Sequence, residues 1–238
     1  MLVAAAVCPC PPLLVPEVAS GAAAELDVLR AACADAVGVL AASRPDRLVV
    51  VGPAEQADRG VFAAGSPGSF RPFGVPLDVT LGAPVPGAGE GQSRELPTSL
   101  TVAAWLLAGW NAAQLEGLGV GEQLEPERCA TAGRTIAESA PRVALLAMAD
   151  GSACRTVKAP GYLDERAEPY DAAVAVALAS ADTEALAALD PALAQDVKAA
   201  GRAPWQVLAG AAEGAGLNGQ LLYDAAPYGV GYFVAAWT

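Results

Sequence analysis

The hydrophobic pattern of the chain is punctuated by short apolar runs that stop abruptly. The clearest is VALLAM at residues 143–148, apolar without alternation, which is the signature of a strand buried on both faces. At Ala149 it gives way to Asp150, Gly151, Ser152, Cys154, Arg155 and Lys158, closed by Pro160-Gly161. A buried strand ending in a dense polar turn is how an open α/β sheet presents chemistry at the carboxyl ends of its strands.

Residues 2–7 and 48–51 repeat the continuous apolar pattern and predict two more buried strands. Between them lie the proline-rich CPCPPLLVPE and a helix starting at Ser20, with Leu26, Leu29, Cys33, Val37 and Leu40 at helical spacing, ended by Arg44-Pro45-Asp46. Such a βαβ unit predicts parallel strands with a right-handed crossover. Residues 52–91 are irregular and rich in Gly and Pro, with a short strand expected at 77–81. A helix capped by Thr98 or Ser99 is expected to run to Asn111, a strand to occupy 115–120, and a helix 127–139. Beyond the polar turn, Asp164, Asp182 and Asp190-Pro191 read as helix caps, and Ala203-Pro204 opens a further helix near 205–213. Residues 220–223 and 229–237 predict two final strands. The expected fold is a single α/β domain over 1–238, with a mostly parallel central sheet flanked by helices on both faces.

Charge narrows the function classes. Among 238 residues the apolar fraction is 54% and the net charge −12, with no basic run. Nucleic acid and anionic membranes select for clustered Lys and Arg, so neither is expected as a partner. The first residues, MLVAAAVC, are too short and lack the positive segment of a secretory signal, so a buried strand is the expectation. Five cysteines, an odd number, fit a reduced cytoplasm better than a disulfide framework. No phosphate loop occurs, and the glycines at 82–91 do not form a dinucleotide fingerprint.

The segments CPCPPLLVPE, VVVGPAE, MADGSACR, GYLDERAEPYDAA and DAAPYGVGYFVAAW, taken in that order, resemble class III extradiol ring-cleavage dioxygenases. The resemblance is to the LigB-like and Memo-like proteins, and more narrowly to their actinobacterial branch. It implies a LigB-like fold, ferrous iron held by two histidines and a carboxylate, and a further histidine as acid–base. It also implies assembly into a homo-oligomer or with a related subunit. The position matching the first iron-binding histidine is Cys10, that matching the second is Glu55, and the acid–base turn reads Ala149-Asp150-Gly151-Ser152-Ala153. Asp224 is the nearest match for the carboxylate.

The chain contains no histidine. A facial triad built on neutral nitrogen donors therefore has nothing to supply them, and neither iron nor ordinary ring cleavage is expected. The expectation is an iron-free homologue that binds a small aromatic or anionic ligand or a partner chain. The alternative is an enzyme of altered chemistry using Cys10, Glu55, Asp150 or Asp224, with Cys10, Glu55 and Asp224 as the donors of any metal. Ser152 joins the catalytic candidates, while Arg155, Lys158, Tyr162 and Tyr228 are the ligand-binding candidates. Four loops, at 8–12, 52–58, 150–162 and 224–228, are expected to converge on one crevice, which Phe62, Phe70 or Phe73 could fill.

Overall fold

A computed structural model describes residues 1–84 and 94–238. In chain order the elements are β1 (Leu2–Cys8), α1 (Pro16–Ala19), α2 (Asp27–Ala42), β2 (Arg47–Pro53), β3 (Gly60–Ala63), β4 (Pro67–Ser69), β5 (Asp78–Thr80) and α3 (Thr98–Leu106). They continue with β6 (Gln114–Val120), α4 (Pro126–Glu138), β7 (Val143–Met148), α5 (Ala167–Ser180), α6 (Thr183–Ala187), α7 (Pro191–Asp196), α8 (Arg202–Ala212), β8 (Gly219–Ala225) and β9 (Tyr232–Trp237). Part of the glycine-rich run at 82–91 lies outside the described residues.

Seven strands form one sheet in the order β3-β6-β2-β7-β1-β9-β8. The four inner strands β6, β2, β7 and β1 are parallel, and the flanking β3, β9 and β8 are antiparallel to their neighbours. The pleat divides the core in two. Ala5, Val7, Val49, Val51, Leu145 and Ala147 face α4, α5 and α8, whereas Ala4, Ala6, Leu48, Val50, Ala144 and Leu146 face α2 and α3. Burial on both faces explains why these strands are apolar without alternation.

Several elements differ from expectation for local reasons. β1 and β2 are parallel as expected, but β7 lies between them. Ser20 does not cap a helix; it ends α1 with φ 51°, and a 3-10 segment runs to Leu26 before α2 begins. The cap position of α3 falls on Pro97, ahead of Thr98 and Ser99, and the Ser99 hydroxyl donates to the Pro53 carbonyl instead. The backbone turns to φ +82° at Gly109, and α3 has already ended at Leu106. Asp164 binds the Arg166 backbone N–H and guanidinium instead of capping, and α5 starts at Ala167. Asp182 and Asp190 do cap, accepting from Ala185 and from Ala192 and Leu193 respectively.

Helices α4 and α8 meet at two glycines. A Cβ on Gly133 would lie 2.1 Å from the Val207 carbonyl oxygen, and one on Gly210 would lie 2.4 Å from that of Ala130. Alanine is the better helix former by about 1 kcal/mol, but here the neighbour is backbone and cannot yield cheaply. Gly133→Ala is therefore expected to lower stability by about 2 kcal/mol in urea denaturation. A stabilised variant would show that the helices can separate without cost.

Candidate functional site

The connections leaving β1 and β7 pass to opposite sides of the sheet, β1 toward α2 and β7 toward α5. A crevice opens at the carboxyl ends of strands at such a switch point. Here it is a cleft of about 740 Å³. Its floor is made where the two strand ends touch: the Cys10 backbone N–H donates to Asp150 Oδ1 at 2.8 Å, and the Cys10 thiol lies 3.8 Å from Oδ2. Tyr232 pairs with Asp150 through an isolated antiparallel bridge, and the Asp150 carbonyl accepts from Gly201 N–H at 2.8 Å. The Asp150 backbone is thus held from both sides.

Electrostatics of this floor follow from burial. Asp150 has no ion pair among the described residues, so loss of solvent pushes its carboxyl up to about 6, opposed by the Cys10 hydrogen bonds. The Cys10 thiol is pushed well above its usual value, first by burial and then by the neighbouring Asp150 charge. Burial also raises the Tyr232 phenol, with Asp150 adding to the effect. A thiol in that setting stays protonated and is a poor nucleophile.

One carboxylate missed in the sequence, Asp171, organises the turn after β7. It is 1% exposed, and it accepts from Ser152 N–H and Oγ–H, both at 2.8 Å, and from the Arg155 guanidinium at 3.0 Å. Its oxygens occupy space that a Cβ on Gly151 or Gly231 would take, at 2.9 and 2.4 Å. Gly151 N–H donates to Gly231 O and Gly231 N–H to Ser152 O, closing the β7 turn on the approach to β9. Burial raises the Asp171 carboxyl, against the pull of Ser152 and Arg155.

The cleft gathers some sequence candidates and not others. Cys10, Glu55 and Asp150 line it, as does Phe73; Phe62 and Phe70 are buried in the core instead. Ser152 is fully buried on Asp171 and does not line the cleft. Asp224 is exposed on β8, so Cys10, Glu55 and Asp224 are not brought together, and the loop at 224–228 does not reach the cleft. Among the described residues no three His, Cys, Asp or Glu side chains are grouped to hold a metal ion. Arg155 is committed to Asp171 and Glu168, and Tyr228 bonds Glu25. Lys158 and Tyr162 are exposed outside the cleft. Cys154, placed by sequence in a polar turn, is 1% exposed. The loops at 8–12, 52–58 and the start of 150–162 do converge. They are joined by Val230 and Tyr232 of the DAAPYGVGYFVAAW segment, and by stretches that carry no motif: Ser69, Pro72 and Phe73, Glu95 to Ser99, Thr101 and Lys198. Nothing in the local sequence of these stretches marks them, because only the tertiary fold brings them in.

No family model matches the chain, and no curated protein matches it. Among solved structures, the chain is similar to the crystal structure of the uncharacterized protein JW3007 from Escherichia coli K12, at 13% identity and TM-score 0.56, with 99% of each chain covered. That likeness is one of fold. No described helix is long and apolar enough to cross a membrane.

Two expectations follow. The Asp150 carboxyl is raised in the folded state, so the folded protein holds that proton more tightly and the ionised form is the destabilised one. Its stabilising contribution is full below the usual carboxylate value of 3.8 and is lost as pH rises through about 6. At about 1.4 kcal/mol per pH unit, that amounts to at most roughly 3 kcal/mol. Asp150→Asn should therefore gain stability over the wild type between pH 4 and pH 7 in paired urea titrations. An unchanged difference would place the carboxyl in solvent. Separately, Asp171→Ala should cost about 3 kcal/mol at neutral pH, since it strands Arg155 and the Ser152 donors; a loss below about 1 kcal/mol would show the turn to be self-supporting.

Proposed function

We propose that the chain is an iron-free relative of the class III extradiol dioxygenases whose cleft serves small-molecule binding or a non-catalytic subunit role. The observation that carries the reading is the Cys10–Asp150 contact. Where the resemblance puts an iron-binding imidazole, the chain has a thiol 6% exposed, and its neighbour is a carboxylate with one oxygen already taken by a backbone N–H. Ferrous iron in a facial triad takes two neutral nitrogen donors and one carboxylate on a single face, leaving the other positions open. A buried thiol in that place is not a nitrogen donor, and the sequence holds no imidazole to replace it.

The alternative of thiol catalysis is disfavoured by the same electrostatics, because burial and Asp150 keep Cys10 from ionising. A cleft of about 740 Å³ lies in the range of small-molecule sites.

Anaerobic incubation with ferrous iron, desalting and metal analysis test the reading, followed by oxygen uptake with catechol and protocatechuate. The expected result is substoichiometric iron and no ring-cleavage chromophore. One retained iron per chain with oxygen-dependent cleavage would overturn it.

A further inference from the structure

The charge of the cleft is one-sided. Glu55, Asp58, Glu95, Glu122 and Asp150 line it, against the single ammonium of Lys198. Ion pairs elsewhere engage Asp27, Glu116, Asp78, Glu213, Glu168, Asp171, Asp164 and Asp196, but no cleft carboxylate among the described residues is paired within 4.0 Å. A concave surface lined by one sign focuses its field and concentrates ions of the other. An anionic ligand would meet that field unfavourably, and the cations Arg155 and Lys158 do not reach the cleft to offset it.

A second and independent feature points to a bound molecule. Tyr232 is 3% exposed and lines the cleft, yet its hydroxyl has no hydrogen-bond partner among the described residues. It is not among the fully enclosed unpartnered polar atoms, which are Tyr170 Oη, Arg202 Nε and Trp205 Nε1, so its oxygen is accessible on a residue that lines the cleft. Buried polar groups are satisfied as a rule, by protein, water or ligand. Beside it, Asp150 Oδ2 has only the weak thiol contact at 3.8 Å. Asp150 and Tyr232 are backbone-bridge partners that both line the cleft, while Phe73, Pro72 and Val230 supply apolar wall.

We propose that the cleft binds a small organic cation, a primary ammonium compound with an apolar body, its ammonium donating to Asp150 Oδ2 and the Tyr232 hydroxyl. The inference rests on the iron-free reading of the same site and adds the chemical class of the ligand. An ammonium brings three donors and no acceptor, which suits two acceptor oxygens on one floor. The apolar body packs on Phe73 and the prolines, and the outer carboxylates Glu55, Glu95 and Glu122 attract the cation without touching it.

The test uses the full chain and three matched probes: phenethylammonium, phenethyl alcohol and phenylacetate, titrated by calorimetry and ligand-observed NMR at constant ionic strength. Phenethylammonium is expected to bind at least about tenfold tighter than phenylacetate, with the alcohol between them. Tyr232→Phe, which keeps the ring, should weaken it roughly three- to tenfold, and Asp150→Asn by at least about tenfold. Should Asp150→Asn fold poorly, the outer pair Glu95→Gln with Glu122→Gln gives a second measurement: the amine should bind more weakly and with a flatter salt dependence. Equal or tighter binding of phenylacetate, or amine binding indifferent to both floor substitutions, overturns the proposal. A stoichiometric ferrous ion with catechol cleavage would defeat the parent reading, whereas an iron-free protein that prefers phenylacetate defeats only the ligand class.

Discussion

A carboxylate pressed into a slot between two glycines holds the cleft end of this molecule together. Asp171 comes from α5, yet its partners are the turn after β7 and, through Gly231, the entry to β9. A buried charge is tolerated only when donors replace water, and here two from Ser152 and a guanidinium do so. The position of Asp150 against Cys10 and Tyr232 is downstream of that arrangement. If the slot were filled by a side chain at Gly151 or Gly231, the carboxylate would be expelled and the two strand ends would part.

The sheet explains why the cleft falls where it does. Parallel inner strands send all their carboxyl ends to one edge, and the opposite exits of β1 and β7 leave a gap there that neither helical layer covers. The floor of that gap is dry enough to raise a carboxyl and a thiol together, while its rim carries acidic groups free of ion pairs among the described residues. A field of one sign over a partly desolvated floor is a stronger selector of ligand charge than any single contact.

How much of this is legible in the sequence divides along a physical line. The buried strands are plain, since residues packed on both faces of a sheet leave runs such as VALLAM that no amphipathic element would produce. The polar turn at Asp150 is equally visible, as are the aspartate caps at Asp182 and Asp190, because each depends on neighbours within a few residues. β3 is not, being four residues of an edge strand with little to pack. Asp171 is hidden because its helix is apolar on most sides and a lone Asp there reads as solvent-facing. Arg155 is visible as a scarce cation but not as an internal one, for its partner lies 16 residues away and across a turn. Asp224 illustrates the reverse error. Its neighbourhood carries the motif-like run DAAPYGVGYF, yet the edge strand turns that residue outward.

All five thiols are buried and unpaired, and they are split between the two sides of the sheet. Cys8, Cys10 and Cys33 belong to the layer under α2 and α3, Cys129 and Cys154 to the layer under α4, α5 and α8. Cys10 borders the cleft, but the other four are closed to a thiol reagent without local opening, so the reaction rates of Cys8 and Cys33 on one side and of Cys129 and Cys154 on the other measure how often each layer breathes. The chain thus carries its own pair of clocks, one for each half of the core, readable by peptide mass without any introduced label.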